Sequence, residues 1–188
     1  MSTVSPLLTS AIRGTQALFA LIVFGLSTSL IRGHHLGSLP STLGFSAFAG
    51  GLGFVGALTG VAAPWVVVLQ GQTGVLIDAV TSGVNVAGGI LMATKLKGAS
   101  CSNIKFYDFD DDEAEKLQKL TWNDVVCGGV RKSKGEAGPD CYYYKLNSLD
   151  VLSSRCKMSQ ADSVFMFLTA IVVVGAAVIG FLRLKKGY

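Results

Sequence analysis

The sequence predicts an all-α membrane protein, a bundle of four transmembrane helices with a disulfide-bearing extracellular loop between helices 3 and 4. Three observations carry that prediction. Half of the 188 residues are hydrophobic and only 15% are charged, where a soluble domain carries roughly 25%. The charge is not spread over a surface, as contact with water on every face would require; 11 of the 16 Lys and Arg and 10 of the 12 Asp and Glu fall within residues 95–160. All four cysteines, Cys101, Cys127, Cys141 and Cys156, fall in the same stretch. Residues 1–188 read as a single domain, with spans at about 14–31, 43–63, 66–94 and 162–182 and an extracytoplasmic loop at about 95–161.

The first span, GTQALFALIVFGLSTSLI, is an uncharged run of 18 residues bracketed by Arg13 and Arg32. As a helix it is about 27 Å long, close to the ~30 Å hydrocarbon core. A cleaved signal peptide has a shorter apolar region followed by small residues, so a retained span is expected. Residues 32–42 (RGHHLGSLPST) follow as a short loop, punctuated by Pro40 and two glycines. His34 and His35 are adjacent and do not readily face one metal together. An interfacial turn that titrates near neutral pH is expected there.

The second span, LGFSAFAGGLGFVGALTGVAA, has 21 residues and six glycines: Gly44, Gly50, Gly51, Gly53, Gly56 and Gly60. In a soluble helix each glycine costs about 1 kcal/mol against alanine. In a bilayer the same residues let helix backbones approach closely, and Ala49/Gly53 and Gly56/Gly60 are small-xxx-small pairs. Gly53, Gly56 and Gly60 are therefore candidate packing positions, either within the bundle or in a homo-oligomer. Pro64 and Trp65 mark a tight reversal, with the indole suited to the membrane interface. Residues 66–94 are expected as one long helix that tilts or projects into water, the alternative being a span at 75–94 with 70–74 at the interface. Asp78 and Asn85 lie seven residues apart on one face of it. A carboxylate at membrane depth costs about 2.5–3.5 kcal/mol, so it should face the interior. There it serves as a clasp between helices or as a proton- or lipid-sensitive switch.

The fourth span ends in VFMFLTAIVVVGAAVIGFL (164–182) and is closed by Arg183, Lys185 and Lys186. Four spans put both termini on one side, and the basic C-terminus assigns that side to the cytoplasm. The loop then lies outside, where disulfides persist. Four cysteines support two bridges with three possible pairings. The expected arrangement joins the exits of spans three and four through Cys101–Cys156 and leaves Cys127–Cys141 as an inner loop. Zinc would need close cysteine pairs, and the spacings of 26, 14 and 15 residues supply none. The acidic run from Asp108 to Glu115 lacks the calcium-loop pattern and reads as a solvated turn before a short helix at about 113–120. Tyr142, Tyr143 and Tyr144 form either a partner-binding patch or a membrane-surface contact. No Asn-x-Ser/Thr acceptor occurs in the loop.

The net charge of +4 reflects this patterning rather than a basic surface with interleaved aromatics, so no nucleic-acid partner is expected. The sequence holds no nucleophile–base pair or paired carboxylates at membrane depth. No enzyme activity and no cofactor are expected.

The stretch RGTQALFALIVFGLS (13–27) resembles the opening helix of fungal MARVEL-domain proteins. Asp78, placed 23 residues before Cys101 in SCSN (100–103), and SRCKMSQA (154–161) leading into VFMFL are similar to the non-classical export branch of that fold. The resemblance covers all four spans. It implies a four-helix plasma-membrane protein with both termini cytoplasmic. Its implied role is in organising lateral compartments (eisosome-type furrows), in the response to sphingolipid state and in unconventional export. The implied partners are membrane lipids such as sphingolipids or sterols, together with other membrane or cortical proteins. Residue by residue, it supports Asp78, Cys101 and Cys156. The chain departs from that pattern in an insertion at about 105–153, with its own pair Cys127 and Cys141, and in a short tail after the fourth span.

Two alternatives compete with a membrane organiser. A tetraspanin-like adaptor would also carry a large disulfide loop, but with a Cys-Cys-Gly signature where this chain has Cys127-Gly128-Gly129. A small channel or transporter would line a polar path with Asp78. Lys185 and Lys186, followed by Gly187 and Tyr188, also fit a dilysine signal for retrieval to the endoplasmic reticulum, a receptor-read address.

Overall fold

The computed structural model describes residues 6–63, 65, 72–99, 101, 111–132 and 139–185. Among these, four helices are long and apolar enough to cross a membrane. They are α1 (Pro6–Arg32), α2 (Ser41–Ala62), α3 (Gln72–Lys95) and the last helix, α6 (Leu149–Lys185). Between α3 and α6 lie α4 (Asp111–Thr121), a two-stranded antiparallel ribbon of β1 (Val130–Lys132) and β2 (Pro139–Cys141), and the single turn α5 (Tyr142–Lys145).

Each long helix begins or ends for a local reason. The described part of α1 opens at Pro6, a residue that a first helical turn accommodates. α2 starts directly after Pro40, whose carbonyl accepts the N–H groups of Leu43 and Gly44. α3 gives way at Lys95 to a turn at Gly98, whose φ of +82° suits glycine. Pro64, Gln70 and the rest of 66–71 lie outside the described residues, so the described part of the third helix starts at Gln72. Trp65 is 78% exposed at the end of α2.

α6 departs most from the sequence reading. Its 37 residues make a helix of about 55 Å, well beyond the ~30 Å hydrocarbon core. Residues 149–161, expected in the loop, are its first turns. They are helical because Leu152, Cys156 and Ser159 recur on one face and are buried against the loop and the neighbouring helices.

The four helices form an antiparallel ring in the order α1, α2, α3, α6, so that α1 lies diagonally across from α3. The loop sits on one end of this ring and shares its core. Leu30 of α1, Leu43 of α2, Met92 of α3 and Leu152 of α6 join Leu117, Leu120, Val125 and Val126 in one buried cluster. Glycine is required where the loop meets α1. Gly129 has φ +114° and a Cβ there would strike the Leu36 backbone, while Gly128 accepts the N–H groups of His35 (2.8 Å) and Leu36 (3.2 Å). The Cys-Gly-Gly run is thus a close-contact turn.

Cys101 is bridged to Cys156 and Cys127 to Cys141, each with Cα atoms 5.4 Å apart. No cysteine is free. The first bridge ties the exit of α3 to the raised part of α6; the second closes the ribbon. For a separation of 55 residues the chain-entropy model gives about 4 kcal/mol of stabilisation. Replacing Cys101 and Cys156 together with serine is therefore expected to expose the loop to proteolysis well before the helices, read as the order of fragments in limited digestion.

Candidate functional site in the bundle interior

α1 carries an arginine two turns after its start, inside the helix rather than at its end. The Arg13 guanidinium donates to both carboxylate oxygens of Asp78 on α3, each at 2.6 Å, and to Gln16 Oε1 at 2.8 Å. Asp78 is 3% exposed. The pair is a two-pronged fork, the geometry in which guanidinium holds carboxylate best. It spans the diagonal of the ring, so the side chain must pass the helix between.

That helix is α2, and its glycines make the passage. A Cβ at Gly60 would collide with the Arg13 guanidinium. One at Gly56 would lie 3.1 Å from Thr81 Oγ1 and 3.6 Å from Gln16 Nε2. Gly53 faces all three other long helices: its Cβ would lie 3.1 Å from Ala20 on α1, 3.6 Å from Asn85 on α3 and 3.7 Å from Thr169 on α6. Gln16 also donates to the Gly53 carbonyl at 3.3 Å. Gly50, one turn on, brings α2 against the α1 backbone, where a Cβ would sit 2.6 Å from Phe24 N.

Above this layer Asn85 is fully buried and donates to Thr81 O at 2.9 Å. Its Oδ1, with Thr81 Oγ1 and Ser46 Oγ, has no hydrogen-bond partner. Ser163 of α6 donates to Gly89 O of α3 at 3.0 Å, and Gly89 packs beneath the Phe167 ring. Higher still, Asp162 of α6 is fully buried and accepts from Ser27 Oγ of α1 at 3.0 and 3.2 Å. The interior is therefore polar along its length and closed by packing.

A second cluster joins the loop to the bundle. Arg155 of α6 is 3% exposed, and its guanidinium donates to the carbonyls of Val126, Leu30 and Val125, each at 3.0 Å. It lies 5.2 Å from the centroid of the Tyr143 ring, within cation–π range. Tyr143 in turn donates to Gly33 O at 2.9 Å. No side chain could replace the hydrogen at Gly33 without meeting Arg155. Beside it, burial holds the His34 imidazole below its usual range, and the nearby Arg155 charge adds to this against a bond to Ser38 O. His35 stacks on Tyr142 with centroids 4.6 Å apart.

The structure thus brings Asp78, Gly56 and Gly60 around Arg13, with Gly53 and Asn85 one layer up. It sets the two disulfides apart from them in the loop. Lys185 is the exposed last residue of α6, and Lys186 lies outside the described residues. Of the acidic run, Asp108 and Asp110 are also outside, and α4 begins at Asp111. Among the described residues no three His, Cys, Asp or Glu side chains converge as metal ligands. Sequence reasoning missed Arg13, read as a bracket of the first span, Asp162, placed only as the first residue of the fourth span, and Arg155, read as part of a polar loop. The usable signal was an arginine in one apolar helix and an aspartate in another, since uncompensated charges are costly at depth.

Removing one partner of a buried pair leaves the other charge uncompensated and costs about 3–5 kcal/mol. Arg13→Gln is expected to lower unfolding stability in mild detergent by about that much. Gly60→Val should have a similar effect, and the double variant should be little worse than either, because both break one contact. At the second cluster, Arg155→Met would leave three buried carbonyls unpaired at about 1–3 kcal/mol each. It should make residues 102–148 protease-sensitive while the helices resist, and Arg155→Lys should recover only part, since an ammonium cannot fork in this way.

Comparison with known proteins gives one positive finding. The family model for MARVEL, described as a membrane-associating domain, matches residues 6–179. No curated protein and no solved structure matches the chain. A match that spans all four apolar helices makes this chain an integral membrane protein belonging to the MARVEL family of membrane-associating domains.

Proposed function

We propose that this protein is a non-enzymatic organiser of plasma-membrane subdomains, acting through helix packing and contact with lipid. The observation that carries this reading is the inversion of the bundle. Its polar side chains (Arg13, Asp78, Asn85, Asp162) are turned inward and bonded, while Leu18, Phe24, Phe48, Val55, Ile90, Ile171 and Phe181 stand exposed on the outside. Phe24, Phe48, Leu52 and Val55 also frame a shallow apolar groove floored by Gly51. Such a surface meets acyl chains or a sterol. Asp78, the residue a transporter would use, is held by Arg13.

In this reading both termini are cytoplasmic, because Arg183, Lys185 and Lys186 close the apolar run of the fourth span, and the disulfide-bonded loop faces outward. The resemblance to the fungal non-classical export branch gives the role its finer content: eisosome-type compartments, a response to sphingolipid state and a link to unconventional export. Lipids, cortical proteins or a second copy of the chain are its partners.

The test is imaging in a fungal cell of the protein tagged at its N-terminus. Static cortical patches that disperse when sphingolipid synthesis is blocked are expected. A perinuclear reticulum that moves to the surface after Lys185→Ser and Lys186→Ser would instead assign the protein to the endoplasmic reticulum and remove the plasma-membrane role.

A further inference from the structure

The bundle interior holds two aspartates, and the fold treats them differently. Asp78 faces a guanidinium that bonds both of its oxygens at 2.6 Å. Asp162 is at least as deeply buried, at 0% exposure, yet among the described residues no basic group forms an ion pair with it. Its carboxyl meets only hydroxyls. Ser27 Oγ of α1 donates to it at 3.0 and 3.2 Å. Ser46 of α2, also at 0% exposure, faces the same carboxyl, and its Oγ has no completed hydrogen bond.

Among the described residues no other charge faces this group. The stretches packed around it, VFGLSTSL of α1 (23–30), TLGFSAFAG of α2 (42–50) and NVAGGILM of α3 (85–92), contain no titratable side chain. On α6 itself, Lys157 is exposed and the Arg155 guanidinium is committed to the carbonyls of Leu30, Val125 and Val126. Lys95, at the end of α3, is paired with Asp124. A bare carboxylate here would be a charge in a low-dielectric interior with nothing to offset it.

We propose that Ser27, Ser46 and Asp162 form a proton-binding site, occupied at neutral pH, whose emptying loosens α6 from α1 and α2. The neutral carboxyl uses every group present. Its carbonyl oxygen accepts from Ser27, and its O–H donates to Ser46 Oγ, which otherwise has no partner. A proton from water adds to one carboxylate oxygen and no other bond changes. When it leaves, a charge appears between three helices and the Ser46 hydroxyl must turn to donate to it, as Ser27 already does. The sign follows: stability is greatest with the proton bound and is lost as pH rises through the site's titration. Helix packing in this protein would then respond to pH through one buried carboxyl.

The experiment uses the full chain in lipid nanodiscs. Infrared spectra at neutral pH should show the carbonyl stretch of a protonated carboxyl in the wild type and none in Asp162→Asn. The melting temperature of the wild type should fall as pH rises from acid and level off once the site has emptied, whereas that of Asp162→Asn should stay level. A wild type without that band at neutral pH, or with the same pH dependence as the variant, would overturn the proposal. So would sodium restoring the alkaline melting temperature of the wild type but not of the variant, since the occupant would then be a metal cation. Should Asp162→Asn not fold, Ser46→Ala gives an independent reading. Loss of the acceptor should move the stretch to higher frequency, and an unmoved band would overturn the hydrogen-bond assignment.

Discussion

The ion pair between Arg13 and Asp78 runs across the diagonal of a four-helix ring, and much of the bundle can be derived from it. Its partners lie 65 residues apart on helices that are not neighbours. The arginine must therefore cross α2, and α2 must be thin where it crosses. Gly60 clears the guanidinium, Gly56 clears Thr81 and Gln16, and Gly53 lets three helices approach one point. Without the pair these glycines would be a cost to helix stability with no return. The same need fixes the rotation of α1 and α3, because a forked contact tolerates little misalignment. In a bilayer, where apolar side chains gain little by leaving lipid for one another, packing and internal polar bonds decide how helices associate.

A second constraint fastens the loop. Arg155 is a buried cation neutralised by no carboxylate among the described residues; three backbone carbonyls and an aromatic ring hold it instead. Those carbonyls come from the end of α1 and from the turn that carries Cys127. One side chain therefore ties α6, α1 and the loop together within the cluster of Leu30, Val125 and Val126. The two disulfides act on a different quantity, the freedom of the unfolded chain. Contacts and cross-links are combined where the loop leaves the membrane, and this gives a stretch with little apolar sequence of its own a core borrowed from the helix ends.

Viewed from outside, the protein reverses the arrangement of a soluble domain. Charged and amide groups are turned into the helical bundle, Arg13 and Asp78 against each other, while large apolar side chains face outward along all four helices. Membership of a membrane-associating family and this reversal agree. The outer surface of the four helices is apolar, and the inner polar contacts join one helix to another.

Hydropathy and length were sufficient to find the four apolar helices. They are local sums, and a run of about 20 uncharged residues has few alternatives to crossing a bilayer. The glycine content of α2 likewise announced close packing, and four cysteines in one polar stretch announced bridges. Other features are relations between segments and leave no local trace. Arg13 at the edge of an apolar run looks like any membrane-end marker until Asp78 is placed beside it. Asp162 looks the same until Ser27 and Ser46 enclose it. Helix α6 starts at Leu149 because a buried face continues into polar sequence that hydropathy alone assigns to a loop. Gly50 differs from Gly44, which has open space around it, only through the backbone of Phe24. The sequence by itself determined which segments enter the membrane, because that depends on each segment's own transfer free energy. Only the tertiary structure decided which buried charges meet, because that depends on the faces the helices present to one another.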